Sequence, residues 1–150
     1  MHKSKSRVFV MSFLLLSFCL VLAQSAFAAM NDDVKHKVVI QVSSDDPRTQ
    51  NIALNNAVNL QKALGQDNVA VEIVAYGPGL SLLTKTSERK DRVASLAMQD
   101  ITFSACSNTM HKMERMKGKK PMLTEGVQVV PAGVLRIMEL QQQGYAYIRP

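Results

Sequence analysis

One cysteine, Cys106, stands where its thiol could do chemistry. It follows an apolar run over 101–105 that predicts a strand, and the polar residues 107–109 come directly after it. This order predicts a thiol between the end of a strand and the start of a helix. Backbone N–H groups and the helix dipole at such a position stabilise a thiolate and lower the pKa of a cysteine. Cys106 is therefore a candidate nucleophile, and a buried inert thiol is the alternative.

The first 28 residues predict a secretory signal peptide. Three basic residues precede an apolar run over 8–23, and the leader closes in Ala26-Phe27-Ala28, a pattern that signal peptidase reads. The apolar run is short for a membrane anchor. Cleavage after Ala28 predicts an exported, periplasmic protein with one domain over 29–150 and no stable membrane insertion.

Removal of this leader would also remove Cys19 and leave Cys106 without an intramolecular partner. An unpaired cysteine in an exported protein is a buried inert thiol, half of an intermolecular bridge or a reactive group. Residues 29–150 contain 15 basic and 12 acidic side chains. This small excess of positive charge gives no reason to expect nucleic acid as a partner.

Strands alternate with helices along the rest of the chain. Such alternation predicts an α/β fold, namely a three-layer α/β/α sandwich with a largely parallel five-stranded sheet. The predicted strands are 38–42, 69–76, 101–105, 127–130 and 145–148, and the longer predicted helices are 47–64, 88–99 and 134–142.

Two of the predicted helices carry local expectations. Pro47 suits the first position of the first helix, and Ser43 and Asp45 are its predicted caps. On the last helix, one face is predicted to contain Val134, Ile137, Met138 and Gln141.

The ligand site of a parallel α/β sheet lies outside the carboxyl ends of its strands. Four strand ends meet there in this prediction, two of them glycine–proline turns in which backbone comes close to a ligand. Asn56, inside the first helix, could add amide hydrogen bonds to these loops. Besides Cys106 and Asn56, the predicted pocket residues are Tyr76, Gly77, Pro78, Gly79, Ser107, Asn108, Thr109 and Pro131.

Several segments, in their order and spacing, resemble the DsrE/DsrF-like family over about 38–150. They are Asn55-Asn56-Ala57, Ala75-Tyr76-Gly77-Pro78-Gly79, Ala105-Cys106-Ser107-Asn108-Thr109, Val130-Pro131-Ala132-Gly133 and Tyr145-Ala146-Tyr147-Ile148-Arg149-Pro150. The resemblance implies a three-layer α/β/α fold, a homo-oligomer (trimer or hexamer) and a persulfide carried on Cys106.

The same resemblance implies sulfur donor and acceptor proteins, or small thiols, as partners. No cofactor is predicted. Relay members of the family act in the cytoplasm, in tRNA thiolation or sulfur oxidation. The export signal of this chain argues against delivery to tRNA. The resulting hypothesis is a periplasmic sulfur-handling protein.

Two alternatives come from the residues themselves. The segment 110–117 contains three methionines and His111, soft ligands that suit Cu(I), although no metal motif of fixed geometry is present and no metal ligands are assigned. Methionines at this spacing also pack well against a domain. The other alternative is a non-catalytic oligomeric binding module in which Cys106 is merely small and buried.

Overall fold

The computed structural model describes residues 36–150, so the predicted signal peptide and Cys19 lie outside the described residues. The five strands are β1 (His36–Val42), β2 (Val69–Ala75), β3 (Ile101–Cys106), β4 (Val127–Val130) and β5 (Ala146–Ile148). The helices are α1 (Pro47–Leu64), α2 (Lys90–Ala97), α3 (Ser107–Lys117) and α4 (Gly133–Gln142), with short 3₁₀ helices at Gln66–Asn68 and Gly77–Leu83.

The strands form one sheet in the order β4-β3-β2-β1-β5, and every neighbouring pair is parallel. Val42 of β1 pairs with Ala75 of β2, which pairs with Ala105 of β3, and Cys106 pairs with Val130 of β4. The carboxyl ends of these four strands therefore lie at one edge, called here the rim. The predicted α/β fold with a five-stranded parallel sheet is confirmed.

Helices cover both faces of the sheet, which gives the three predicted layers. The larger apolar cluster joins one face to α1, α2, α3 and the 3₁₀ helix after β2, with Phe103 and Leu54 fully buried in it. The smaller cluster joins Val39 and Val74 of the sheet to Ile137 and Leu140 of α4. The site described below is built where α4 meets this second face.

The outward face of α4 differs from the sequence prediction. Of the four residues predicted to share a face, Ile137 is buried, whereas Val134 and Met138 are 63% and 49% exposed and Gln141 is exposed. The buried positions are Gly133, Ile137 and Leu140, spaced four and three residues apart. The helix packs on the sheet through this stripe. Val134, Leu135 and Met138 form an exposed apolar strip on its outward side.

Asp46 caps α1, so the prediction of Ser43 and Asp45 as caps was wrong. The Asp46 carboxylate accepts hydrogen bonds from the Thr49 N–H (2.7 Å) and the Thr49 hydroxyl (2.8 Å). These bonds hold the pKa of Asp46 below its usual value. Because Pro47 occupies the first helical position, the capping residue has to be the one immediately before it.

None of the helices formed by residues 36–150 is long and apolar enough to cross a membrane.

Gly79 allows the turn after β2 to touch the end of β1. A Cβ at this position would overlap the carbonyl oxygen of Val42 and lie 2.9 Å from the Ser43 nitrogen. We expect Gly79→Ala to lower the free energy of unfolding by about 3 kcal/mol, because backbone atoms cannot rotate away. Chemical denaturation measures this loss.

Gly77→Ala is the matched control. A Cβ at Gly77 would meet nothing within 4 Å, so the substitution creates no steric overlap. The φ of Gly77 is +56°, a left-handed conformation that alanine adopts with strain. We therefore expect Gly77→Ala to lower the free energy of unfolding by about 1 kcal/mol. Equal stability losses for the two variants would contradict the close approach at Gly79.

Candidate functional site

Cys106 is both the last residue of β3 and the N-cap residue of α3. The predicted position of the thiol, between a strand and a helix at the rim, is thus what the structure shows. The residue is buried, with 5% of its surface exposed. What matters for its chemistry is whether its neighbours are hydrocarbon or polar.

Burial and nearby polar groups act in opposite directions on the pKa of Cys106. Burial by itself raises the pKa of the thiol, but the Thr109 hydroxyl and the N–H groups of Gly133, Thr109 and Asn108 favour the thiolate. The balance brings the pKa of Cys106 below its ordinary value. A thiolate is the nucleophilic form of cysteine, so a lowered pKa favours the reactive form of this residue.

Thr109 connects the thiol to the turn after β2. The Gly77 N–H donates to the Thr109 hydroxyl oxygen at 2.9 Å. Since that oxygen already accepts a hydrogen bond, its own hydrogen is free to point at the Cys106 sulfur. The turn after β2 therefore orients a donor that belongs to α3.

Gly133 brings the start of α4 against the same site. It is buried, and a Cβ there would lie 2.9 Å from Cδ1 and 3.0 Å from Cβ of Tyr76. Only a residue without a side chain fits under the Tyr76 ring at this distance. The Gly133 N–H is among the groups that lower the pKa of Cys106.

Tyr76 borders the thiol on the side of β5. Burial raises the pKa of the Tyr76 phenol, the nearby Tyr147 and Cys106 raise it further, and the Arg149 guanidinium lowers it. Because the net shift is upward, Tyr76 keeps its proton at neutral pH and remains a hydrogen-bond donor.

Three residues near the rim are not among the predicted pocket residues, namely Gln41, Tyr147 and Arg149. The Tyr147 hydroxyl donates to Gln41 Oε1 at 2.7 Å, and Gln41 Nε2 donates to Ser43 Oγ at 3.2 Å. Arg149 is exposed, and its positive charge lowers the pKa of the Tyr76 phenol. A signal for Gln41 existed, since it is the one polar residue inside an apolar strand sequence, Val38-Val39-Ile40-Gln41-Val42.

A partly buried ion pair joins α4 to the sheet beneath the thiol. The Glu72 carboxylate of β2 accepts from Arg136 Nε at 2.8 Å and from Arg136 Nη2 at 2.7 Å. Ser104, two residues before Cys106 and on the same sheet face, donates to Glu72 Oε1 at 2.5 Å. Arg136 lies one helical turn after Gly133, so this pair anchors the helix end whose Gly133 N–H lowers the pKa of Cys106.

Other predicted pocket residues line the rim in different ways. Ser107 is half-buried at the start of α3, while Pro78 and Pro131 are exposed in the turns after β2 and β4. Gly79 is buried against β1 and acts through the backbone contact described above.

The structure does not bring Asn56 to the rim. It is half-buried nine residues into α1, which is about 14 Å from the first residue of the helix at a rise of 1.5 Å per residue. Its neighbour Asn55 accepts a hydrogen bond from Arg92 of α2 at 2.7 Å, and Asn51 accepts one from Arg89 at 2.8 Å. These asparagines join two helices rather than a helix and the strand-end loops.

The methionines of α3 do not converge on His111. Met110 is buried in the core, Met113 packs against the same core, and Met116 is 72% exposed. Among residues 36–150, no group of three or more His, Cys, Asp or Glu side chains is placed to hold a metal ion. The packing alternative therefore accounts for Met110 and Met113.

Replacement of Thr109 by valine tests the hydrogen bond to the thiolate. We expect Thr109→Val to raise the pKa of Cys106, because it removes the hydroxyl donor and leaves the burial that opposes ionisation. The rate of alkylation by iodoacetamide, measured against pH, should then fall near neutral pH and converge with wild type in alkali. Thr109→Ser keeps the hydroxyl and should retain the wild-type dependence of alkylation on pH. If Thr109→Val also retained it, the Thr109 hydroxyl would not be a group that lowers the pKa of Cys106.

The comparisons with known proteins agree with the fold. The model of the DsrE/DsrF-like family matches residues 36–150. The structure of MTH1491 from Methanobacterium thermoautotrophicum, described as a protein of unknown function, is 38% identical with a TM-score of 0.67, over 77% of this chain and 99% of that one. BT1422 from Bacteroides thetaiotaomicron, also described as of unknown function, shares the fold at 16% identity and a TM-score of 0.57, over 81% of this chain and 99% of that one.

No curated protein matches this chain. The family match covers all of the described residues, including the strand that ends in Cys106 and the turns around it. The chain therefore belongs to the DsrE/DsrF-like family, and that membership indicates a role in sulfur relay in general terms.

Proposed function

We propose that the protein carries sulfur as a persulfide on Cys106 and passes it from a donor to an acceptor thiol. The observation that carries this proposal is the position of Cys106 as the last residue of β3 and the N-cap residue of α3, where the Thr109 hydroxyl and the Gly133 N–H lower the pKa of the thiol. Family membership supports sulfur as the atom that is transferred.

The transfer requires two displacement steps at sulfur. The Cys106 thiolate attacks the terminal sulfur of a donor R–S–S⁻, so that a Cys106–sulfur bond forms, the donor S–S bond breaks and R–S⁻ leaves. With thiosulfate as donor, the leaving group is sulfite. An acceptor thiolate then attacks the outer sulfur of the Cys106 persulfide and releases the Cys106 thiolate, so no external oxidant or reductant is consumed.

The surroundings of the sulfur favour a small anionic donor. Only 5% of Cys106 is exposed, which leaves little room for a bulky reagent. The exposed Arg149 lies near Tyr76 at the same rim and adds a positive charge that attracts anions. Thiosulfate and polysulfide meet both conditions. Small thiols meet the size condition as acceptors.

Intact-mass measurement tests the proposal. The protein is incubated with thiosulfate or with polysulfide, desalted and weighed before and after addition of glutathione as acceptor. We expect a gain of one sulfur atom per chain and its loss to glutathione. A folded protein that gains no sulfur from either donor would overturn the proposal and favour the oligomeric binding module.

We also propose that the protein works in the periplasm after removal of residues 1–28. The support is the basic, apolar and small-residue pattern of the leader. The mass of the protein recovered from the periplasmic fraction of the source cells tests this, because cleavage after Ala28 defines one mass. Recovery of the full-length chain from the cytoplasm would contradict it.

The outward strip of α4 supports a homo-oligomer. Val134, Leu135 and Met138 are 63%, 42% and 49% exposed on one short helix, and a second copy would cover them. We expect Met138→Lys to lower the oligomeric mass found by sedimentation velocity, because a charge would be placed in an apolar contact. Met98→Lys, at a residue 81% exposed on the other side of the sheet, is the matched control and should leave the mass unchanged. An unchanged mass for Met138→Lys would contradict this interface.

A further inference from the structure

The positive charge of the domain is concentrated in one segment. Residues 36–150 contain fourteen basic and ten acidic side chains, and the segment 110–122 alone contains five basic and one acidic. The excess of four positive charges in the domain therefore equals the excess in these thirteen residues. The proposed chemistry of Cys106 makes no use of it.

A cavity of about 430 Å³ lies beside this segment. Four lysines line it: Lys85, Lys117, Lys119 and Lys120. None of the four ammonium groups lies within 4.0 Å of a carboxylate belonging to residues 36–150. Four cations that share a cavity repel one another, and an anion bound between them would relieve this repulsion.

The walls of the cavity are fixed by backbone hydrogen bonds. The Lys85 N–H donates to the Met122 carbonyl at 2.9 Å, and the Thr124 N–H donates to the Leu83 carbonyl at 2.9 Å. An antiparallel bridge between Thr84 and Leu123 lies between these two bonds. The cavity is therefore held open by the fold rather than formed by two free loops.

Hydroxyl donors and apolar side chains complete the lining. Ser81 Oγ accepts from Gln50 Nε2 at 2.9 Å, which leaves its own hydrogen free to donate to a ligand. Met113, which packs on the core, and Met122, which is 56% exposed, supply an apolar surface. The cavity thus combines cations, a hydroxyl donor and hydrocarbon.

We propose that this cavity binds a phosphate group attached to an apolar group. A phosphate offers at least three acceptor oxygens and up to two negative charges, so it can use several ammonium groups and a hydroxyl together, whereas a carboxylate offers two oxygens. The apolar part would lie against Met113 and Met122. A volume of about 430 Å³ is within the usual range for small-molecule sites.

The cavity is separate from the thiol site. Cys106 does not line it, and Lys117 lies eleven residues further along, at the other end of α3. A rise of 1.5 Å per residue over α3 corresponds to about 16 Å. Binding at the cavity and sulfur loading at Cys106 can therefore fail independently.

Calorimetric titration with hexyl phosphate, inorganic phosphate and hexanoate tests the proposal. We expect hexyl phosphate to bind about tenfold or more tightly than either of the others. Inorganic phosphate lacks the apolar group, and hexanoate lacks the phosphate. The affinity should fall as salt is raised. No binding of hexyl phosphate at millimolar concentration, or equal binding of inorganic phosphate, would overturn the proposal.

Vesicles distinguish a lipid headgroup from a soluble phosphate ester. If the ligand is a lipid, the protein co-sediments with phosphatidylglycerol vesicles and not with phosphatidylcholine vesicles. If the ligand is a soluble ester, hexyl phosphate binds and neither vesicle does. Both results support the phosphate site and identify its source.

Lysine pairs provide the matched variants. We expect Lys119→Ser/Lys120→Ser to weaken hexyl phosphate binding about tenfold. Lys62→Ser/Lys90→Ser removes the same charge from exposed positions outside the cavity and should leave binding within about twofold of wild type. Equal weakening by the two pairs would show general charge attraction and overturn the site.

Discussion

Cys106→Ser should abolish sulfur loading completely. The hydroxyl of serine is not ionised at neutral pH and cannot hold a transferable sulfur, whereas the donors around this position favour a thiolate. The fold should survive the change, because Cys106 is the N-cap residue of α3 and serine is among the preferred residues at that position. Intact-mass measurement after incubation with thiosulfate or polysulfide gives the result directly.

Two controls make this experiment specific. Cys19→Ser removes the other cysteine of the full chain and should leave loading intact, since Cys19 belongs to the predicted leader. Met98→Lys, at an exposed residue outside the site, should also load. Sulfur that is gained by Cys106→Ser and lost in Cys19→Ser would place the carrier on Cys19 and defeat the proposal for Cys106.

The sequence predicted the fold and the place of the thiol because both depend on local pattern. Apolar β-branched runs between amphipathic helices are enough to define a parallel α/β sheet. Cys106 was located correctly since a polar segment follows its strand immediately, and parallel strands bring their carboxyl ends to one rim.

The contacts that lower the pKa of the thiol could not be predicted in this way. Gly133 reaches Cys106 from another strand–helix unit, and its role depends on contact with Tyr76, which lies 57 positions earlier in the chain. Asn56 lies away from the rim because of its depth along α1, which its polar character alone does not reveal. Side-chain type is local information, whereas the distance between distant segments is set by packing.

Glu72 is a local anomaly in the sequence whose partner comes from a distant segment. A carboxylate in the apolar run Val69-Ala70-Val71-Glu72-Ile73-Val74 contradicts the pattern of a buried strand and calls for a buried partner. The partner is Arg136, 64 residues away. The sequence contained the need for a cation but nothing that chose among fourteen basic residues of the domain.

Arg136→Met should destabilise the protein by about 3 kcal/mol, because it leaves the Glu72 charge buried without a cation. The two ends of this pair are not equivalent: the side chain of Glu72 is 3% exposed, whereas that of Arg136 is 27% exposed. Glu72→Gln should therefore cost less, about 1 kcal/mol, since the Arg136 guanidinium can turn to water. Urea denaturation of the two variants measures both values.

The double variant Glu72→Gln/Arg136→Met removes both charges and should be more stable than Arg136→Met alone. If it is not, the loss in Arg136→Met comes from packing rather than from an unpaired charge.

The variants should also differ at the thiol, because Arg136 anchors the helix whose Gly133 N–H favours the Cys106 thiolate. Arg136→Met should raise the pKa of Cys106, and alkylation near neutral pH should slow. A variant that lost stability and kept the wild-type alkylation profile would show that the start of α4 is held at the sulfur by Tyr76 and Gly133 without help from the ion pair.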